Sequence, residues 1–309
     1  MTSEQTRCGF VAVMGAPNAG KSTLVNALVG TKVSIVTRKV QTTRMPVRGI
    51  AIRGNAQIVF VDTPGVFEPK RRLDRAMVQS AWKGAADADA ILVVADAADL
   101  SQKPAGLAAK DTQRIVDGLK DTKRTASLVL NKIDLCRRED LLPLAERMQN
   151  EGVFDRIFMI SADKEEGTGD IAAYCAATVP EGPWLYPEDQ IADIPSRLLA
   201  SEITREKLYL RLHDELPYAS TVVTESWKEN KDGSARIDQT IYVERESQKP
   251  IVIGKGGQTI KSIGEAARRE MEAVFGRRIH LFLHSKVSER WGEQRQHYLD
   301  MGLEYPRDQ

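Results

Sequence analysis

Residues 8 to 178 set five short apolar runs, Phe10 to Met14, Ile58 to Val61, Ile91 to Ala95, Leu128 to Leu130 and Ile157 to Ile160, between segments long enough to be helices. Strands apolar on both sides must be covered on both faces. The pattern therefore predicts a mainly parallel sheet with crossover helices above and below it, an α/β domain over residues 1–179.

The pattern then breaks. Pro180, Pro183, Pro187 and Pro195, with Gly182 among them, exclude regular helix or central strand, so residues 180–195 are expected to be a linker. A second plan occupies residues 196–309. Ser196 to His213 has apolar residues at helical spacing, and two strand-like runs, Ala219 to Trp227 and Ala235 to Glu244, meet at Lys231-Asp232-Gly233. A short apolar segment, a helix over Gln258 to Phe275 and a strand over Arg278 to Val287 follow.

Composition removes several alternatives. The longest apolar stretch, Ala90 to Ala95, is far below the ~20 residues that cross a bilayer. The start, Met1 to Cys8, has no apolar leader, and three cysteines (Cys8, Cys136, Cys175) form neither a disulfide framework nor a zinc motif, so a reducing cytoplasm is expected. Net charge is +1, from 44 Lys and Arg against 43 Asp and Glu, which gives no global field toward nucleic acid or acidic lipid. Between Lys249 and Arg290, however, nine basic residues face four acidic ones, a local +5.

Two glycine-rich segments carry the chemistry. Gly15-Ala16-Pro17-Asn18-Ala19-Gly20-Lys21-Ser22 follows an apolar strand and precedes a helix over Ser22 to Val29. There the backbone can curl its amides around phosphates, Lys21 can reach the outer phosphates and the Ser22 hydroxyl can ligate magnesium. Asp62-Thr-Pro-Gly65 ends the next strand, at the sheet edge where ligands bind. Its carboxylate can hold magnesium through water, and the Gly65 amide can touch a terminal phosphate. Asn131-Lys132-Ile133-Asp134 ends another strand at that edge, and the Asp134 carboxylate matches the ring N–H and exocyclic amine of guanine.

The second segment, Gly254-Lys255-Gly256-Gly257, lies between a short apolar run and a long amphipathic helix. Its glycines let phosphates approach and Lys255 supplies charge, while Ile251, Ile253, Ile260 and Ile263 line a groove or pack the core. With the local +5 and the helix-strand-strand-helix-helix-strand order, this part resembles a type II KH domain, an α+β fold whose GxxG loop clamps single-stranded RNA.

The nucleotide boxes resemble those of the TRAFAC-class GTPases, and nearly the whole chain resembles the Era-like members that carry a KH domain at the carboxyl end. This resemblance implies GTP and GDP as ligands with Mg2+, bound by residues Gly15 to Ser22 and the adjoining Thr23. It places Gln41-Thr42-Thr43-Arg44 in the first switch, with Thr43 as the magnesium and γ-phosphate sensor and Thr42 beside it. It makes Ser161-Ala162 the loop whose amide meets the guanine carbonyl. Asn18 matches an asparagine with which similar GTPases hold K+ against the phosphates; a turn-forming asparagine is the alternative. Asn18, Lys21 and Thr43 are thus the candidate catalytic residues.

The same resemblance implies the 3′ end of small-subunit (16S) rRNA and the 30S precursor as partners, ribosome maturation as the process, and a peripheral association with the inner membrane. Where Ras-like proteins place a glutamine after Asp-x-x-Gly, this chain has Val66, which can neither orient nor deprotonate water, so intrinsic turnover is expected to be slow. Two rivals have different consequences. A P-loop small-molecule kinase leaves the Asn131 to Asp134 box unexplained, and an RNA-binding scaffold with a structural nucleotide would show no turnover. A tRNA-modifying GTPase of the same class lacks a domain for that chemistry here.

Overall fold

The computed structural model describes residues 5–213 and 215–306. Residues 1–4, which belong to the stretch read as lacking a leader, and residues 214 and 307–309 of the expected second domain lie outside it. The described chain divides into two compact units, one running to Asp193 and including the stretch from Gly302, the other Ile194–Met301.

The first unit contains β1 (Arg7–Gly15), α1 (Lys21–Val29), β2 (Val47–Arg53), β3 (Ala56–Asp62), α2 (Arg72–Ala86), β4 (Ala90–Asp96), α3 (Ala97–Gln102), α4 (Leu107–Asp121), β5 (Ala126–Asn131), α5 (Arg138–Gln149), β6 (Phe154–Met159), α6 (Thr168–Thr178) and β7 (Ala192–Asp193). Its sheet runs β6-β5-β4-β1-β3-β2-β7. All five apolar runs are strands of its parallel part; β2 and β7 add antiparallel pairs at one side. Alternate residues of β1 feed the two faces. Val11 and Val13 join Leu24, Phe60 and Ile171, whereas Ala12 and Met14 join Val93, Ile115 and Leu128.

Of residues 180–195, expected as a linker, those up to Asp193 lie against this unit. The buried Gln57 side chain accepts the amide hydrogens of Leu185 (2.9 Å) and Tyr186 (3.0 Å) and donates to the Tyr186 carbonyl (2.8 Å). Prolines bar the stretch from helix and central sheet, but an edge contact needs few donors, and β7 pairs with β2 there. At the other end, Leu303 is buried in the same unit and Glu304 pairs with Lys83 of α2. The Arg72 guanidinium lies over the Tyr305 ring, 4.9 Å from its centre.

The second unit contains α7 (Ser196–Arg211), β8 (Ser220–Glu229), β9 (Ala235–Val243), α8 (Lys249–Ile253), α9 (Gln258–Phe275), β10 (Ile279–Val287) and α10 (Arg295–Asp300). This is the expected order. Its sheet runs β10-β9-β8, with β8 and β9 antiparallel and β9 and β10 parallel. Apolar residues of α7 and α9 (Ile203, Leu208, Ile263, Ala267, Met271) bury Ile237 and Ile241 of β9. Trp291 is buried too, its indole donating to the Ala219 carbonyl at 3.0 Å.

Candidate functional site

β1 delivers the chain to the carboxyl edge of the sheet, and α1 carries it away. Between them Gly20 adopts φ 96°, and a Cβ there would stand 2.2 Å from the Asn131 amide nitrogen, so only glycine fits. No side chain caps α1 and no acidic residue occupies its first turn, which leaves its amino-terminal N–H groups and the positive end of its dipole for an anion. Lys21 lies across this loop, donating to the carbonyls of Gly15 (3.2 Å) and Ala16 (2.9 Å). Burial pulls its ammonium down to about 8, although Asp62 opposes the shift. A buried cation held only by neutral carbonyls is ready to exchange them for phosphate oxygens.

Three oxygen-bearing side chains from three segments meet beside it. The Ser22 hydroxyl donates to Asp62 at 2.7 Å, the Thr43 hydroxyl donates to the same carboxylate oxygen at 3.2 Å, and the two hydroxyls are 2.9 Å apart. Asp62 is fully buried, its other oxygen Oδ1 and the Ser34 hydroxyl make no well-formed hydrogen bond, and burial raises its pKa against the pull of Ser22, Lys21, Ser34 and Thr43. An orphaned carboxylate oxygen beside two hydroxyls fits a hard divalent cation such as Mg2+. Thr42 is turned elsewhere, its hydroxyl donating to the Lys39 carbonyl at 2.6 Å, so Thr43 is the threonine that faces this point. Thr23 follows in α1 and is half-buried.

The base-side residues are stapled to the phosphate loop. Asn131 donates to the Ala19 carbonyl (2.9 Å) and accepts from the Ala162 amide (3.0 Å), joining the loop to the buried Ser161-Ala162 turn. Lys132, at φ 65°, donates to the Asn18 carbonyl (2.8 Å) and to Asp96. Ser161 and Lys164 hold the Asp134 carboxyl below the usual range, with the Lys164 ammonium 3.3 Å away. Asn18 is exposed and has φ 63°, which satisfies the turn-former explanation while leaving its side chain at the loop surface. Pro17 packs against Gly65, where a Cβ would come within 3.1 Å.

In the second unit Gly254, Gly256 and Gly257 all have positive φ (75°, 60° and 78°). A Cβ at Gly254 would collide with Thr259, whereas at Gly256 and Gly257 it would meet nothing within 4 Å, so the loop is open outward. Gly257 caps α9 without side-chain help and without acid in the first turn, as Gly20 does for α1. Lys255 is exposed, and Ile251 of α8 stands 57% exposed beside the loop. Ile263 is core, and Ile253 and Ile260 are half-buried.

A family model described as 50S ribosome-binding GTPase matches residues 10–132, and a KH domain model matches residues 215–292. The curated GTPase Era of Brucella suis biovar 1 is 60% identical over 302 residues, covering 98% of this chain and 95% of its own. That of Maricaulis maris is 55% identical and covers 99% of both. The chain belongs to the Era family of GTPases. Two solved Era structures match it at 38% identity, each covering 96% of this chain and 99% of its own. One, with a TM-score of 0.89, is Era in complex with MgGDPNP and nucleotides 1506–1542 of 16S ribosomal RNA; the other, at 0.88, is an Aquifex aeolicus Era variant bound to GDP and AlF4−.

For an Era-family chain the fate of Val66 matters most. It is 2% exposed, in the apolar cluster of Met14, Leu100 and Ile115, and its amide donates to the Gly15 carbonyl at 3.1 Å. The side chain at this position therefore points into the core. Sequence reasoning missed Asp96 and Lys164, the charged partners of Lys132 and Asp134. Asp96 had a signal, an acid ending an apolar run at the carboxyl edge; Lys164 had none.

Proposed function

We propose that this protein is a GTP-hydrolysing switch that binds the 3′ end of 16S rRNA and assists maturation of the 30S subunit. The observation that carries the reading is the pairing, in one Era-family chain, of a nucleotide site built around Ser22, Thr43 and Asp62 with an outward-facing GxxG loop.

In this reading the amides from Gly15 to Thr23 bind the phosphates and Lys21 transfers its hydrogen bonds to them. Ser22, Thr43 and Asp62 would hold Mg2+, which when bound would neutralise phosphate charge. Gly65 senses the γ-phosphate. Asp134 selects guanine, oriented by Ser161 and Lys164, and the Ala162 region meets the base carbonyl. Asn18 is the candidate to hold K+, whose charge would replace an arginine finger. With Val66 in the core, attacking water is positioned by other groups. Loss of the γ-phosphate releases Thr43 and the Gly65 loop, and the RNA unit answers that change.

Gly254, Lys255, Gly256 and Gly257 clamp RNA phosphates, and Ile251 packs on a base. The unit that runs to Asp193, with the stretch from Gly302 strapped to it, acts as the nucleotide domain, and Ile194–Met301 as the RNA domain. The protein works in the cytoplasm. No helix among the described residues is long and apolar enough to cross a membrane, so its contact with the inner face would be peripheral.

Sequencing of RNA crosslinked to the protein in the presence of a GTP analogue tests this. Reads should pile up at the 3′ end of 16S rRNA; reads spread evenly over ribosomal RNA would contradict it.

A further inference from the structure

Gln41 lies two residues before Thr43 and carries a backbone strain that a glutamine adopts against a steric penalty, φ 57°. Its amide donates to Asp74 Oδ1 at 2.8 Å. Asp74 is 4% exposed and sits in the first turn of α2, where its other oxygen accepts the backbone hydrogens of Lys70 (3.0 Å) and Arg71 (2.9 Å). One buried carboxylate thus fastens the start of α2 with one oxygen and the first-switch segment with the other. The helix it fastens follows the Asp62 to Gly65 turn, and the segment leads into Thr43. Thr42, between them, turns its hydroxyl back to Thr37 and Lys39.

We propose that Gln41 is a positioning residue for GTP hydrolysis, seating the first switch on the amino end of α2 so that Thr43 reaches Ser22 and Asp62 only when α2 is in place. The first switch and the Asp62 to Gly65 turn with α2 then close as one element. The strained φ and the contact to α2 fall on the same residue, which is the relation expected where strain serves a bistable segment. The inference rests on the reading of Thr43 as the magnesium-side threonine.

The test compares Gln41→Gly, Gln41→Glu and Thr43→Ala with the parent for kcat, GDP affinity, melting temperature and the Mg2+ concentration that gives half-maximal rate. Glycine accepts the backbone and removes the side chain; glutamate keeps the shape and sets two carboxylates face to face. Gln41→Gly should lose at least fivefold in kcat and need more Mg2+, with GDP affinity within twofold of the parent and melting unchanged. Gln41→Glu should lose as much or more. That split between rate and ground-state affinity marks positioning.

Parental rate and Mg2+ requirement in both Gln41 variants, with Thr43→Ala inactive, would overturn the role of Gln41 and leave Thr43 standing. Parental turnover in Thr43→Ala would instead overturn the reading of the site itself. GDP affinity and melting temperature falling in step with the rate in Gln41→Gly would reduce Gln41 to a structural contact, and the proposal would be wrong.

Discussion

Lys21 sets the first expectation at the scale of single residues. Its ammonium is depressed by burial to about 8 in the free protein, and phosphates would stabilise the charged form, so nucleotide binding favours the protonated lysine. GTP affinity should hold steady below pH 8, then fall as pH rises above it, with proton uptake on binding. Calorimetry at pH 8.5 in two buffers of different ionisation enthalpy measures that uptake, and zero uptake would contradict the assignment. Asp134→Asn should weaken GTP roughly hundredfold, since the acceptor loses its charge and the guanine exocyclic amine meets an N–H donor in place of an oxygen, and should gain xanthine nucleotides, whose oxo group accepts from the new amide. Unchanged GTP affinity would remove Asp134 from the base site. If Asn18 holds K+, turnover should be faster in potassium than in sodium at equal ionic strength, and Asn18→Ala should erase the difference; equal rates in the parent would return Asn18 to a turn former. Lys21, Asp62 and Asp134 were legible because each belongs to a motif set at the carboxyl end of an apolar run. Lys164 and Gln41 were not, because what they touch is far away in sequence.

Elements show where local pattern stops being sufficient. The apolar runs of the five parallel strands announce themselves, but β2 has Arg48 and Arg53 among its residues and β7 is only two residues long. Their places depend on antiparallel pairing with β3 and on the Gln57 contacts, which no periodicity encodes. The same lesson applies to Val66, whose identity was visible while its direction was not. Since its side chain lies in the core, Val66→Gln should not create a water-orienting residue. It should destabilise the nucleotide unit by about 2–3 kcal/mol, because a longer side chain would bury an amide without partners, and leave kcat no higher. Urea unfolding beside a phosphate-release assay checks both halves; an accelerated variant with parental stability would mean that position 66 can face the phosphates after all.

For the molecule as a whole, the central claim is that one chain holds two separate phosphate-binding devices of the same physical kind. Each is a glycine-capped, acid-free helix amino end, Gly20 before α1 and Gly257 before α9, proposed to take nucleotide and RNA in turn. The order of elements and the local +5 made the KH domain readable from the sequence, whereas the docking of residues 180–193 and 302–306 on the first unit depends on contacts made only in three dimensions. The most direct test replaces Lys255 and Gly256 together with aspartate and measures, on protein shown to be folded by circular dichroism and melting, both GTP turnover and affinity for a single-stranded fragment ending at the 16S 3′ terminus across a salt titration. Two carboxylates would stand where RNA phosphates must approach, so RNA affinity should collapse while basal turnover stays at the parental value. RNA bound as tightly as by the parent at every salt concentration would contradict the account.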